Sequence, residues 1–266
     1  MNIVTIDTKA ELATHERSIE TLFQACFGDR LSIELWRWAF LQNPCGDPVV
    51  TLCHDGDRLV AHYAIIPLRL RGPHGPCPAS LSMTTMVAES HRQHGLFVKT
   101  AEACYARAPA LGIAFVMGFP NAMSTPGFRR RLDWQLPEPD RVVSLDKPEL
   151  LALAATGALT PPGTITIDLS DDAVRTWRLS RPGHRYVWQD GLAYKPFGDG
   201  IDLLYVEHPD ALVQLPDDRP IQLIAPAEAP VPAERTRFPY QFGGLSLAGD
   251  FDASSVRRQM ALSDVF

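Results

Sequence analysis

The residues of this chain best suited to chemistry are Arg92, Gln93, His94, Gly95, Leu96 and Phe97, a turn between a strand and a helix. Successive backbone N–H groups where a helix opens converge on one point and carry partial positive charge, so such a turn suits an anion, above all a pyrophosphate. Gly95 brings the backbone close to a ligand with no side chain in the way. Arg-x-x-Gly by itself is a frequent accident; its weight comes from the helix, the strand and the run Phe119-Pro120-Asn121 that succeed it along the chain. Pro120-Asn121 also suits a plain turn and helix cap.

For proton transfer the chain offers less. His62 lies on a strand and has an intrinsic pKa near neutrality. Glu89 closes the next strand, which carries the hydroxyls of Ser82, Thr84 and Thr85 but no carboxylate. His62, Glu89 and Thr85 are therefore the catalytic candidates, although a lone histidine in a strand is more often a hydrogen-bonded core or surface residue. Two aromatic groups could shape an acceptor site: Trp36, Trp38 and Phe40, and Trp177, Tyr186 and Trp188, interleaved with Arg37, Arg178 and Arg185. Trp36, Arg37 and Trp177 would suit a sugar nucleotide by stacking and phosphate contacts; the plainer reading is that the tryptophans anchor a core. Asp171-Asp172 and Asp217-Asp218 read as loop or cap residues, and no metal-ligand spacing stands out, so no metal is expected.

The composition narrows the partners. With 266 residues, 45% hydrophobic and 21% charged, the chain suits one large or two modest globular domains. A net charge of −6 argues against nucleic acid as the main partner, the Arg129-Arg130-Arg131 patch notwithstanding. No apolar run approaches the roughly 20 residues that span a bilayer, and no signal-like segment opens the chain. No membrane association and a cytoplasmic location are expected. The five cysteines are odd in number and scattered without C-x-x-C spacing, which suggests buried thiols.

Periodicity and turn chemistry set the elements around these residues. Asn2 to Ile6 reads as a strand, Asp7 or Thr8 as the cap of a helix through Cys26, and Ser32 as the start of a second helix that must stop before Asn43-Pro44. Val49 to Cys53 and Arg58 to Leu70 form a hairpin about Asp55-Gly56-Asp57, and Gly72 to Pro78 reads as a loop. Leu81 to Ala88 is a strand, Gly95 to Ala108 a helix, Ile113 to Met117 a strand and Ser124 to Leu132 a helix. Pro137-Glu138-Pro139-Asp140 marks a boundary, giving domains 1–136 and 141–266. Beyond it come a helix at Pro148 to Ala155, a Pro161-Pro162-Gly163 linker and several short strands.

One internal echo links the halves. Leu35-Trp36-Arg37 leads to Pro44 and Thr176-Trp177-Arg178 to Pro182, each before a strand-turn-strand pattern. The Trp-to-Pro spacings differ, eight against five, so chance is at least as good a reading as duplication. If the echo is real, the C-terminal half is a degenerate copy without an Arg-x-x-Gly loop.

The order of strand, Arg92-to-Phe97 turn, helix, strand and Asn121 resembles the GNAT acyltransferase superfamily, whose acyl-CoA loop is Arg/Gln-x-x-Gly-x-Gly/Ala. Arg131-Leu132-Asp133-Trp134 is similar to the family's closing Leu-Gly-Phe, with Asp133 where glycine is usual. The likeness covers roughly Asn2 to Trp134. It implies an α/β mixed-sheet fold of the GNAT acyl-CoA N-acyltransferase type, with the rest a C-terminal α/β extension. It also implies acetyl-CoA as co-substrate: Met86 and Val87 along the pantetheine arm, the amides of Gln93, His94, Gly95, Leu96 and Phe97 with Arg92 at the pyrophosphate, and Asn121 near the thiol. Phe97 departs from the family's small residue, and Arg129 stands where a tyrosine acid is usual.

The reading is an acetyl transfer from acetyl-CoA to a small-molecule primary amine. The 36–44 stretch and Ser263-Asp264-Val265-Phe266 look similar to a subgroup met in amino-sugar and polysaccharide biosynthesis, so a nucleotide-linked amino sugar is the first expected acceptor, and a homodimer is compatible with it. The alternatives are a non-catalytic acyl-CoA or small-ligand module and an enzyme acting on a protein or peptide amine.

Overall fold

The computed structural model describes residues 1–159, 164–250 and 252–263. The Pro161-Pro162-Gly163 linker and the Asp264-Val265-Phe266 end of the chain lie outside them. Thr8 caps α1 (Lys9–Ala13) by accepting from the Glu11 amide, but the single helix expected from periodicity divides. The Thr14 hydroxyl donates to the Glu11 carbonyl at 2.7 Å, competing with the backbone ladder, and α2 (Glu16–Phe27) restarts after His15. Ser32 caps α3 (Ile33–Phe40) as its sequence predicts.

The first sheet runs β1 (Asn2–Ile6), β2 (Val49–Asp55), β3 (Arg58–Gly72), β4 (Gly75–Val87), β5 (Phe115–Gly118) and β13 (Gly243–Ser246), with β7 (Thr166–Ile167) pairing the end of β3. The stretch Gly72 to Pro78, expected as a loop, is instead mostly ladder: Pro76 faces Arg71 and Pro78 faces Arg69. The prolines fit because the Pro78 carbonyl accepts from Ala114 on the outer side, so the missing N–H points away from β3 as well. β4 and β5 are parallel, joined through α4 (Leu96–Arg107), and α5 (Thr125–Arg131) follows. Val49, Tyr63, Ile65, Ala101, Cys104, Phe128 and Trp134 form the core between this sheet and α4 and α5.

The second sheet runs β12 (Thr236–Tyr240), β6 (Asp140–Leu145), β11 (Ile221–Ala225), β10 (Gly200–Val206), β9 (Leu192–Phe197) and β8 (Val187–Gln189). β6, which the sequence pattern does not mark, begins at Asp140, the last residue of the proline-rich stretch. It lies antiparallel beside β11, as β13 lies beside β5. The first sheet thus receives the strand flanking its parallel pair, β13, from the other half of the chain, whereas β6 comes from the same half as β10 and β11. The two sheets are mixed α/β layers, and α6 (Lys147–Ala155) opens with a capping box between Asp146 and Glu149.

The echo between the halves is structural, in a different frame from the one the sequence suggests. α3 is capped by Ser32 and α7 (Asp172–Arg178) by Asp171, and six positions after each cap stand Trp38 and Trp177. The two rings stack at 5.0 Å between centroids. Trp38, not Trp36, is the partner of Trp177.

β10 repeats β4 as well. In β4 two residues bulge against one of β3 between Met83 and Met86, and in β10 the register shifts between Leu203 and Tyr205. Ala88 donates to the Val60 carbonyl just past β4, and Glu207 to the Gly191 carbonyl just past β10. Val87 and Val206 therefore hold equivalent places. Among the described residues no helix is long and apolar enough to cross a membrane, and all five cysteines are free thiols.

Candidate active site

The site forms where β4 and β5 part. They pair at Ala79↔Phe115, Ser80↔Val116 and Leu81↔Met117, after which β5 ends and β4 continues six residues to Val87. The divergence follows from the bulge, where Thr84 takes a φ of 55°, a left-handed conformation that strains a β-branched residue. Between the strands lies a cavity of about 200 Å³ walled by Ser82, Thr84, Gly118, Phe119, Phe128 and Trp134. Gly118 is required there, since a Cβ would sit 3.2 Å from the Ser82 carbonyl and 3.3 Å from the Trp134 ring.

The bulge also sets which amides are free. Ala88 donates to β3, and backbone groups alternate sides along a strand, so Val87 turns its N–H to the open edge. There it faces the Cys26 thiol of α2; burial pushes that thiol's pKa up, while Arg92 and the Val87 amide pull it down. Met86 pairs with His62 inside the ladder, so its backbone is turned toward β3, away from the open edge.

Beyond Val87 a 3-10 turn spans Glu89–His94, and Gly95 stands at φ 66° with α4 starting at Leu96. A Cβ on Gly95 would meet nothing within 4 Å, so glycine serves the left-handed φ here and leaves the space above it open. No side chain caps α4; its first amides are unpaired within the helix and point outward. Arg92, Gln93 and His94 are exposed around them, and Arg130 and Arg131 line a second cavity of about 380 Å³ with Thr85, Phe97, Met123, Ser124 and Gly127. Thr85 and Ser124 belong to both cavities, making one groove from the strand gap to the arginines. The Phe97 ring turns away from the turn and packs edge-on against Phe128 at 5.2 Å, a position allowed because Gly127 has no Cβ to collide with it.

Asn121 lines the gap, yet its Oδ1 accepts from the amides of Met123 at 3.1 Å and Ser124 at 2.9 Å, so it acts as the cap before α5. Glu89 is exposed at the end of β4, away from the cavity walls.

His62 is fully buried, with Nδ1 2.7 Å from the Thr84 carbonyl, its ring against Phe40, and Nε2 enclosed without a partner. Burial lowers its pKa to about 4, the Thr84 bond opposing weakly. As placed it secures the bulge and offers no nitrogen to an incoming amine. Trp36 and Trp177 are likewise core residues, 2% and 6% exposed, while Arg37 is held in a two-bond pair with Glu16 at 2.7 and 2.8 Å. The structure therefore puts Thr85, Phe97 and Asn121 in the walls of one groove, with Val87 and the Arg92-to-Leu96 turn following Thr85 along the chain, and leaves Met86, His62, Glu89, Trp36, Arg37 and Trp177 outside those walls.

The sequence alone does not reveal the hydroxyl chain behind Ser82. Tyr63 and Tyr105 read only as apolar positions of a strand and a helix, and no local signal joins them. Nor does it reveal the second gap, between β10 and β11, which pair only at Ile201↔Ile221 and Asp202↔Gln222. A cavity of about 380 Å³ lies there, but the segment 256–260 lines it and the Gln259 carboxamide accepts the Val206 N–H at 2.8 Å. A 3-10 turn, Pro209–Gln214, stands where the first half has α4. Size alone would favour the second gap; the donors and the helix start favour the first.

Comparison with known proteins bears on the fold that carries the groove. Residues 10–136 match the family model described as Acetyltransferase (GNAT) domain. No curated protein matches the chain. Among solved structures, a GCN5-related N-acetyltransferase from Kribbella flavida aligns over 92% of this chain and 72% of its own, with TM-score 0.61 and 15% identity. A probable N-acyltransferase from Enterococcus faecalis aligns over 93% and 73%, with TM-score 0.64 and 8% identity. Eis1 from Mycobacterium abscessus aligns over 93% and 74%, with TM-score 0.59 and 16% identity. At such identities the likeness is one of fold. The matched residues 10–136 are just under half of the chain, and the residues that line the groove all fall within them.

Proposed function

We propose that the protein transfers an acetyl group from acetyl-CoA to a primary amine, with the β4–β5 gap holding the thioester and the α4 start holding the pyrophosphate. The observation that carries this reading is the equivalence of Val87 and Val206. In the second half the Val206 N–H is met by the carboxamide of Gln259, and a carboxamide is the group that the pantetheine arm would present to Val87. The chain supplies its own analogue of the cofactor contact.

In this reading the Val87 amide fixes the arm, the α4 amides with Arg92, Arg130 and Arg131 neutralise the phosphates, and the acyl carbon lies in the gap beside Ser82 and Thr84. Binding at two distant points orients the thioester for attack. The amine arrives unprotonated and loses its proton to water, since no carboxylate is among the residues lining the gap.

The acceptor is the open half of the reaction. A nucleotide-linked amino sugar is the first candidate to assay, although burial of Trp36 and Trp177 takes away two of its expected anchors. Exposed Phe27 and Met123 at the groove favour including aryl and alkyl amines in the panel. A non-catalytic acyl-CoA module is the second reading, favoured by the enclosed His62. Calorimetry with acetyl-CoA, then thiol release across amines, separates the two. Binding with release for one amine class supports the transferase, binding without release the module, and no binding overturns both.

A further inference from the structure

The residue next to the last β4–β5 pair is Ser82, 9% exposed and lining the gap. Its hydroxyl donates to the Tyr63 oxygen at 2.8 Å, and the Tyr63 and Tyr105 hydroxyls are bonded to each other at 2.5 Å. The Trp134 indole donates to Tyr105 at 3.0 Å. Four side chains from β3, β4, α4 and the segment after α5 thus form one buried line that ends in the cavity. Cys104 and Thr51 are the other polar side chains packed beside it, bonded to each other at 3.2 Å.

We propose that the Ser82 hydroxyl donates to the thioester carbonyl oxygen as charge builds there, and that Tyr63, Tyr105 and Trp134 are positioning residues that keep its proton aimed into the gap. The inference rests on the acetyl-CoA reading of the groove. An indole N–H only donates, so it fixes one end of the line: the Tyr105 oxygen accepts. From there two hydroxyl arrangements satisfy the chain. In the one that the geometry gives, Ser82 donates to Tyr63 and Tyr63 to Tyr105, which leaves the Tyr105 proton unpaired. In the other, Tyr105 donates to Tyr63 and Tyr63 to Ser82, so the one free proton belongs to Ser82 and faces the gap. Only O–H rotations separate them, and a carbonyl oxygen in the gap selects the second.

Donors already aligned before charge appears cost no reorganisation during reaction. Successive hydroxyls polarise one another, which strengthens the last bond of the chain. Burial raises the pKa of both tyrosines, so the line stays neutral and donates without ionising. The position matters because Arg129, in the place of the usual tyrosine acid, is exposed on α5.

In the step itself the amine lone pair forms the C–N bond and the carbonyl π pair moves to oxygen, where Ser82 donates. Collapse restores C=O and breaks C–S, the pair leaving on sulfur. The ammonium proton passes to water and the thiolate takes one back. Ser82 keeps its proton throughout.

The test compares the full chain with Ser82→Ala, Ser82→Thr, Ser82→Val and Tyr63→Phe. Acetyl-CoA Kd is read by calorimetry, kcat by thiol release, and the carbonyl stretch of isotope-labelled bound acetyl-CoA by difference infrared spectroscopy. The expected result is an unchanged Kd, kcat reduced about 100-fold in Ser82→Ala, less in Tyr63→Phe, and loss of the low-frequency carbonyl shift in Ser82→Ala. The shift is readable without knowing the acceptor. Should alanine unfold the strand, Thr and Val have nearly equal volume, and only Thr should keep the shift and the rate. An equal shift in Thr and Val, or in wild type and alanine, overturns the role of Ser82. Wild type that binds no acetyl-CoA overturns the functional reading itself, a separately visible failure.

Discussion

Trp38 and Trp177 each give the indole N–H to the other's backbone carbonyl, at 2.7 and 2.8 Å. Two helices with equivalent caps from the two halves are thereby locked by a symmetric pair of buried bonds, with the Arg178 guanidinium lying over the Trp38 ring at 5.7 Å. These tryptophans hold the halves together and present no face to an acceptor.

Trp177→Phe should therefore lower stability and leave acetyl-CoA affinity untouched. It removes one buried donor and orphans the Trp38 carbonyl, a loss of about 1–3 kcal/mol. Urea unfolding beside calorimetry checks both parts. A weakened Kd with normal stability would return Trp177 to the binding site.

At the α4 start, Gly95→Glu should abolish acetyl-CoA binding. The φ of 66° disfavours any Cβ by about 1 kcal/mol, and the carboxylate would occupy the open space where a pyrophosphate charge is expected. Gly95→Ala should show the conformational cost alone. Calorimetry on both, with circular dichroism as a control for folding, separates strain from charge repulsion.

Charge reversal at the far end of the groove should act through ionic attraction. Arg130→Glu with Arg131→Glu is expected to weaken acetyl-CoA binding roughly tenfold or more at low salt, the gap narrowing as salt rises. Titrations at two ionic strengths test this. Salt-independent loss would mean that the helix, rather than its charge, had been damaged.

His62 predicts a pH dependence of stability. Its pKa falls from 6.5 when unfolded to about 4 in the fold, so the unfolded chain binds more protons between those values. Stability from this group is full above pH 6.5, declines as pH falls, and levels off below about 4, losing at most about 3 kcal/mol. His62→Gln should flatten that part of the profile in denaturant melts at several pH values. The same variant should keep the pH profile of kcat; disappearance of an acidic limb, on which kcat rises with pH as a base loses its proton, would restore His62 as the base.

How much of the molecule is legible in the sequence depends on how local each signal is. The Arg92-to-Phe97 turn, the Ser32 cap and the β4–α4–β5 order are written within a few residues, and each is in place. Gly72 to Pro78 misleads because composition does not say which way a proline nitrogen points. His62 and the tryptophans mislead because residue type names a chemistry and only packing decides whether solvent reaches it. Ser82, Tyr63, Tyr105 and Trp134 come from four elements, so their contact belongs to the fold alone.

Gln259 in the second gap bears on stoichiometry. If the slot beside Val206 answers to the slot beside Val87, the polypeptide fills one of its two cofactor seats with its own side chain. Saturation should then arrive at one acetyl-CoA per chain, with a single-site isotherm even though the architecture is doubled. The doubling would persist as scaffold: one copy binds, and the other, closed from within, lends β13 to the sheet that does the binding.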